Sequence, residues 1–171
     1  KPGVPVVQIG FPQTLAEVRE EVLRAGAALG KPEKARKLVA DMDRRLDALA
    51  RRGLPRKTVL YMTPAGVTTG EGTLVHELFE AAGVENFQKQ PGWNPLPLER
   101  LAYERPDMVA ASFFESATNH VDNWSAARHP VAQAQLRELP VVPLEGAWTA
   151  CGGWFVLDAV EALADAAEKA S

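Results

Sequence analysis

Side chains that commonly catalyse reactions or bind metals are few in this sequence and lie far apart. The three histidines are His76, His120 and His129, and no pair has the HExxH or HxH spacing of a zinc site. The single cysteine, Cys151, excludes an internal disulfide and a CxxC pair. It could be a catalytic thiolate, but no GxSxG, Walker or GxGxxG motif accompanies it, and we favour a small buried residue. The sequence therefore favours binding over catalysis.

Tryptophan is the residue type that points most directly to a ligand. Three of the four tryptophans, Trp93, Trp124 and Trp148, fall in predicted loops. Aromatic rings bury a large area at low entropy cost and can stack on flat or greasy chelates. We therefore predict that Trp124 and Trp148 contact a ligand, and we interpret Trp93 as either a rim contact or a lid on the core. Trp154 opens a predicted helix and is expected to pack in the core.

Two helices are predicted near the start of the chain. Thr14 and Glu17 have capping-box spacing, and an apolar stripe then continues to a stop at Gly30. A second amphipathic helix begins at Pro32 and runs to about Gly53. It is long enough to span a small domain, at about 1.5 Å per residue.

The rest of the chain alternates strands with helices. Predicted strands cover 58–62, 108–112 and 141–144, and predicted helices cover 73–82, 98–103, 131–139 and 154–169. A Gly/Thr-rich loop is predicted over 64–72. This alternation predicts an α/β fold with a Rossmann-like parallel sheet covered by helices on both faces.

Ligands of open α/β sheets lie beyond the carboxyl ends of the strands, so the residues that follow each strand are candidates. Thr63 follows the first strand, and Phe114 follows the second. Arg128 could pair with an anionic siderophore or a haem propionate, or it could form a local salt bridge. Trp148 follows the third strand.

Composition excludes several other classes of protein. Apolar residues make up 46% of the 171 residues and charged residues 24%, as in an ordinary globular protein. The net charge is -3, and basic residues alternate with acidic ones rather than forming a stripe for nucleic acid. No apolar run approaches the roughly 20 residues needed to cross a bilayer.

The order of segments resembles the helical-backbone class, class III, of ABC-transporter periplasmic substrate-binding proteins for iron-siderophores, haem or cobalamin. The resemblance is carried by the strand-like run at Val4–Val7, the helix pair and the Leu78–Asn86 segment, with Leu96–Leu101 and Arg105–Val109 after them. Arg128-His129-Pro130, Leu139-Pro140-Val141-Val142 and the final helix complete the order. In this comparison the chain looks like a C-terminal lobe with its interlobe helix.

The resemblance implies three parts. Residues 1–13 would be the last strand of an N-terminal lobe, 14–54 the helix pair with the backbone helix, and 55–171 the C-terminal ligand-binding lobe. Because the chain begins on a strand-like run at Lys1, we expect further chain upstream, with a signal sequence and a first lobe. The location implied is periplasmic, or lipid-anchored and extracytoplasmic.

The resemblance also implies the function: solute binding for an ABC importer of a metal chelate, with no enzymatic activity and no cofactor besides that ligand. Glu115 and Asp122 would dock on the permease. Tyr61 and Tyr103 are poorly placed for haem, one in a strand and one on a helix expected to face the core, so an iron-siderophore is favoured. Haem, cobalamin and a non-transport sensor or interaction module remain alternatives.

A single lobe should leave apolar surface uncovered. We expect the helix stripe and the first strand edge, over Val4 to Leu49, to drive self-association of this chain.

Overall fold

The computed structural model describes residues 6–112 and 125–170. It begins with a helix pair, α1 (Leu15–Ala28) and α2 (Pro32–Ala50). The hydroxyl of Thr14 accepts a hydrogen bond from the backbone N–H of Glu17, at 3.1 Å. The Glu17 carboxylate accepts from the N–H of Gln13, at 2.6 Å, rather than from Thr14 as in a reciprocal capping box. The predicted helix start is therefore confirmed, with the return bond one residue earlier.

A parallel four-stranded sheet forms the centre of the fold. Its strands are β1 (Thr58–Met62), β3 (Glu85–Asn86), β5 (Met108–Ala111) and β6 (Val141–Pro143), in the order β3-β1-β5-β6. Each neighbouring pair is parallel. The predicted α/β class and parallel sheet are confirmed.

Helices cover both faces of the sheet. Side chains alternate between the two faces of a strand, so the apolar strands need a packing partner on each face. On β1, Val59 and Tyr61 pack into a core shared with α1, α2, α3 (Leu74–Ala81) and α7 (Val156–Lys169). Leu60 and Met62 face the opposite core, built with α4 (Leu98–Leu101) and α5 (Pro130–Glu138). The β-branched and aromatic run at the start of the α/β part is therefore buried on both sides.

The predicted loops contain short strands and helices that the periodicity of the sequence does not predict. A two-stranded antiparallel sheet pairs β2 (Val67–Thr69) with β4 (Trp93–Pro95). A 3-10 helix covers Ala126–Arg128, and the short helix α6 covers Gly146–Ala150. Two to five residues are too few for a pattern to distinguish a strand or helix from a turn.

Salt bridges join α2 to α7. The guanidinium of Arg45 contacts both Asp158 and Glu161, with Nε 2.7 Å from an oxygen of Glu161. One heptad further, Arg52 contacts Asp165, at 2.7 Å, and Glu168. The charged residues of α2 are thus partly used to fasten it to the last helix.

Several expectations about individual positions were wrong. Tyr103 is 92% exposed instead of facing the core, because it follows the end of α4. Trp154 is 47% exposed, because the last helix begins two residues later, at Val156. Cys151 is exposed, directly after α6. Val6 and Val7, the described half of the run Val4–Val7, pair with no strand in the described part of the chain, and a strand there that belongs to an N-terminal lobe stays a prediction.

Candidate functional site

A cavity of about 370 Å³ opens at the carboxyl end of β1. This position is where open α/β sheets bind ligands, and the volume lies within the usual range of about 300–1,000 Å³ for small-molecule sites. The segment before α1, the end of β1, the first turn of α3, β4 and the end of α6 meet around it. Its described lining is Phe11, Pro12, Gln13, Tyr61, Thr63, Leu74, Val75, Trp93, Thr149 and Gly152.

Trp93 presents a largely exposed ring on a fixed backbone. The residue pairs with Thr69 across the small β2–β4 sheet, and its side chain is 57% exposed. The N–H of Gly70 donates to the carbonyl of Gly92, at 2.9 Å, just before Trp93. A Cβ at Gly70 would lie 2.0 Å from the carbonyl oxygen of Gln90, so only glycine permits this close approach. The aromatic surface is therefore held in place by backbone contacts.

The ring of Trp93 meets the buried ring of Tyr61 edge to face. Their centroids are 6.2 Å apart and the planes are inclined by 67°. This geometry is favourable for aromatic pairs because the positive edge of one ring meets the negative face of the other. Tyr61, at the end of β1, thus anchors Trp93 at the sheet edge.

The opposite side of the cavity is formed by the segment before α1. Phe11 is 90% exposed, whereas the neighbouring Pro12 is buried. A Cβ at Gly152 would lie 1.9 Å from Cγ of Pro12, so the glycine allows this segment to pass close to the chain after α6. The same region supplies Thr149, whose hydroxyl lies 3.0 Å from the hydroxyl of Ser112 at the end of β5.

Thr63 has a structural role in addition to its place on the cavity. Its hydroxyl donates to the carbonyl of Val67, at 3.2 Å, and accepts from the N–H of Val67, at 3.1 Å. The hydroxyl proton is therefore already used in the turn that leads to β2, and only acceptor capacity remains for a ligand.

The predicted contact residues fall into three groups. Trp93 and Thr63 line the cavity together. Trp148 is half-buried on α6 and packs against the core of α7, and Arg128 lies in the 3-10 helix; neither is among the cavity's described lining. Trp124, Phe114, Glu115 and Asp122 lie outside the described residues.

Sequence reasoning missed Phe11 as a lining residue, assigned Tyr61 only to a strand, and considered Thr149 only among the residues that follow the third strand. Phe11 precedes a helix rather than following a strand, so the rule on carboxyl ends does not find it. Thr149 is next to Trp148, and the more conspicuous aromatic drew the prediction. The Phe11-Pro12 pair before a capped helix was the available signal for the first.

The described part of the chain contains no group of three or more His, Cys, Asp or Glu side chains arranged to hold a metal ion. Within the same ranges, no helix is both long and apolar enough to span a bilayer.

Residues 1–142 match the model of a family described as periplasmic binding protein, and the chain belongs to that family. Comparison with curated protein sequences gives no significant match. The family is one of binding proteins rather than enzymes, in agreement with the expectation from the sequence.

Solved structures share the fold at low identity. A periplasmic heme binding protein from Pseudomonas aeruginosa is 20% identical with a TM-score of 0.70, covering 92% of this chain and 61% of its own. An ABC-type Fe3+-hydroxamate transport system from Saccharomonospora viridis is 19% identical with a TM-score of 0.70, covering 96% and 58%. A periplasmic vitamin B12 binding protein of Vibrio cholerae is 20% identical with a TM-score of 0.69, covering 95% and 64%. The chain thus spans less than two thirds of the length of each of these three proteins.

Proposed function

We propose that this chain is the C-terminal lobe, with the backbone helix, of the solute-binding component of an ABC importer, and that its cargo is a metal chelate, first of all an iron-siderophore complex. The observation that carries the proposal is the aromatic cavity at the carboxyl end of β1, in a member of the periplasmic binding protein family. Trp93, Tyr61 and Phe11 offer the apolar area that a bulky chelate needs. The function belongs outside the cytoplasm, in the periplasm or at the outer face of the membrane.

Haem and cobalamin are the competing cargoes. They are favoured by the neighbours described as heme and vitamin B12 binding proteins. Tyr61 is 2% exposed and packs against Trp93, so the phenol is poorly placed to reach a haem iron. This burial supports the siderophore over haem.

Delivery to a permease through Glu115 and Asp122 stays a prediction, as does ligand contact by Trp124 and Phe114.

The experiment is a titration of the 171-residue chain with ferric siderophores, haem and cobalamin, followed by tryptophan fluorescence. We expect saturable quenching by at least one siderophore. Trp93→Ala should weaken that binding by about 1–3 kcal/mol, the range for a buried aromatic anchor. Because Trp93 is 57% exposed, the melting temperature should change little.

Trp154→Ala is the matched control, since that ring is 47% exposed but is not part of the described cavity lining. It should leave siderophore affinity unchanged. Equal affinity of the wild type and Trp93→Ala, with normal melting curves for both, would remove this cavity from the proposed function.

A further inference from the structure

The described lining of the cavity carries no formal charge at neutral pH. It contains three aromatic rings, two aliphatic side chains, two threonines, one glutamine, one proline and one glycine. No Lys, Arg, His, Asp or Glu is among these residues.

Four arginines that form ion pairs lie away from the cavity. Arg45 and Arg52 are engaged with acids of α7, and Arg100 pairs with Glu104 beside α4. Arg105 pairs with Glu138 at the amino ends of the strands. None of these four lies on the described cavity lining.

Arg128 is a further cation near the carboxyl ends of the strands, and it is not part of the described cavity lining. It ends the 3-10 helix whose first cap residue, Ser125, donates from its hydroxyl to the carbonyl of Pro64, at 2.6 Å. This contact places the 3-10 helix on the turn after β1, and Arg128 is not among the residues that line the cavity.

Moving an ion from water to an apolar site costs several kcal/mol per charge unless opposite charge compensates it. The first turn of α3, through Leu74 and Val75, offers only the partial positive charge of a helix N-terminus, roughly half an elementary charge. A complex that carries two or three negative charges would remain largely uncompensated against this surface.

Hydrogen-bond donors, in contrast, are present. The indole N–H of Trp93 is a donor only, and the Gln13 amide keeps a second N–H beside the one that donates to the carbonyl of Phe11. The Thr149 hydroxyl shares a hydrogen bond with the Ser112 hydroxyl, in which either oxygen can be the donor. Uncharged oxygen acceptors, such as the carbonyl and N–O oxygens around a hydroxamate-bound metal, match this set.

Resting on the proposed function, we infer that the chelate bound here is electroneutral and rich in oxygen acceptors, of the tris-hydroxamate kind. Multiply anionic tris-catecholate complexes and the carboxylates of haem are disfavoured at this lobe. The neutral aromatic lining, rather than a charged clamp, sets this specificity.

The test uses three diamagnetic gallium(III) probes: a neutral tris-hydroxamate complex, a trianionic tris-catecholate complex and gallium protoporphyrin. Each is titrated into the folded, isotopically labelled chain, and amide and indole NMR shifts are followed, since this readout also detects millimolar binding. We expect the neutral complex to bind at least about tenfold more tightly than the anionic ones, given the uncompensated charge. The shifts should include the Trp93 indole and the backbone at Phe11 and Thr149.

Gln13→Lys tests the cause of the preference. Gln13 is exposed and on the cavity lining, so a lysine adds one positive charge without disturbing the core. This variant should reduce the ratio of the dissociation constants of the anionic and neutral complexes by about tenfold, equivalent to about 1.4 kcal/mol. Gln13→Met, of similar size and uncharged, removes the amide donor for neutral and anionic complexes alike, so it should keep the wild-type preference even where all affinities fall.

The outcomes distinguish the selection of electroneutral complexes from chelate binding as such. Tighter binding of an anionic complex to the wild type, or equal preferences in Gln13→Lys and Gln13→Met, would overturn electroneutral selection while leaving chelate binding intact. Absence of shifts with all three probes, in a chain that gives a folded spectrum, would overturn the proposed function itself.

Discussion

Two tryptophans that look alike in the sequence have different roles in the structure. Trp93 exposes its ring beside Tyr61 and can meet a ligand. Trp148 is half-buried on α6 and packs against the core next to α7. Trp148→Ala should therefore destabilise the fold more than Trp93→Ala does, because core packing would be lost together with any ligand contact.

At the amino ends of the strands, Asp107 joins β5 to β1. Its carboxylate accepts hydrogen bonds from the backbone N–H of Thr58, at 2.6 Å, and from the Thr58 hydroxyl, at 2.8 Å. The N–H bond is the main cause of the lowered pKa of Asp107, and the hydroxyl bond adds to it. A carboxyl whose pKa is lower in the folded state stabilises that state above its unfolded pKa, and the contribution disappears as pH falls through the folded pKa.

We predict that Asp107→Asn lowers the free energy of unfolding by about 1 kcal/mol at neutral pH, a modest value because the carboxylate is exposed. Between about pH 6 and pH 5 the difference from wild type should be constant, and it should shrink as the pH falls below about 3.9, the ordinary pKa of aspartate, and through the lower folded pKa. Urea unfolding across this range measures it. A difference that stays constant with pH would show that charge is not the cause.

At the scale of elements, α2 and α7 are joined by two similar sets of ion pairs a heptad apart. Arg45 faces Asp158 and Glu161, and its guanidinium is 24% exposed, so the pairs are partly shielded from water. Hydrogen bonding to Glu161, and secondarily to Asp158, raises the pKa of Arg45 further above its already high value. The bidentate arrangement fixes the direction of α2 against the α/β part.

We predict that Arg45→Met destabilises the chain by about 1–2 kcal/mol, since two carboxylates lose one half-buried partner. The loss should diminish in high salt, which screens the wild-type pairs. Thermal and urea unfolding at low and high salt provide the measurement.

Arg44→Met is the control for this variant. Arg44 is 71% exposed and pairs with Asp41 within the same helix. Its replacement should cost less than about 0.5 kcal/mol. Equal effects of the two variants would mean that the α2–α7 pairs contribute no more than an exposed pair within one helix.

At the scale of the whole molecule, the helix pair leaves an apolar groove of about 340 Å³ uncovered. Ile9, Leu29 and Trp154 are exposed at this groove, and Val22 and Leu38 line it as well. Ala35, Met42 and Leu49 of α2, in contrast, are buried by the described chain. The apolar stripe of α2 is thus covered at Met42 and Leu49, and the uncovered surface lies between α1 and the beginning of α2, where Leu38 lines the groove.

We predict that the 171-residue chain self-associates through this surface, within the predicted segment Val4 to Leu49. Leu29→Glu should shift the sedimentation profile towards the monomer, because Leu29 is 69% exposed and its loss should not unfold α1. Tyr103→Glu, which alters a residue 92% exposed near the amino ends of the strands, should sediment like the wild type. A wild type that remains monomeric at the highest concentration would contradict the prediction.

Amino-acid patterns by themselves determined the main elements of this protein and its family. The caps of α1 and α3, the apolar periodicity of α2 and α7 and the β-branched runs of β1 and β5 are local signals, since each depends on neighbours within a few residues. Those signals led to the parallel sheet and to its carboxyl edge as the place for a ligand.

Only the tertiary structure decided which side chains share the site. Phe11, Tyr61, Trp93 and Thr149 are far apart in the chain and meet because the segment before α1, β1, β4 and α6 converge at one edge. Close approaches at Gly70 and Gly152 make this convergence possible, and the spacing of residues does not encode them. The roles of Trp93 and Trp148 differ for the same reason: burial depends on what packs against a residue, which is a property of the folded chain.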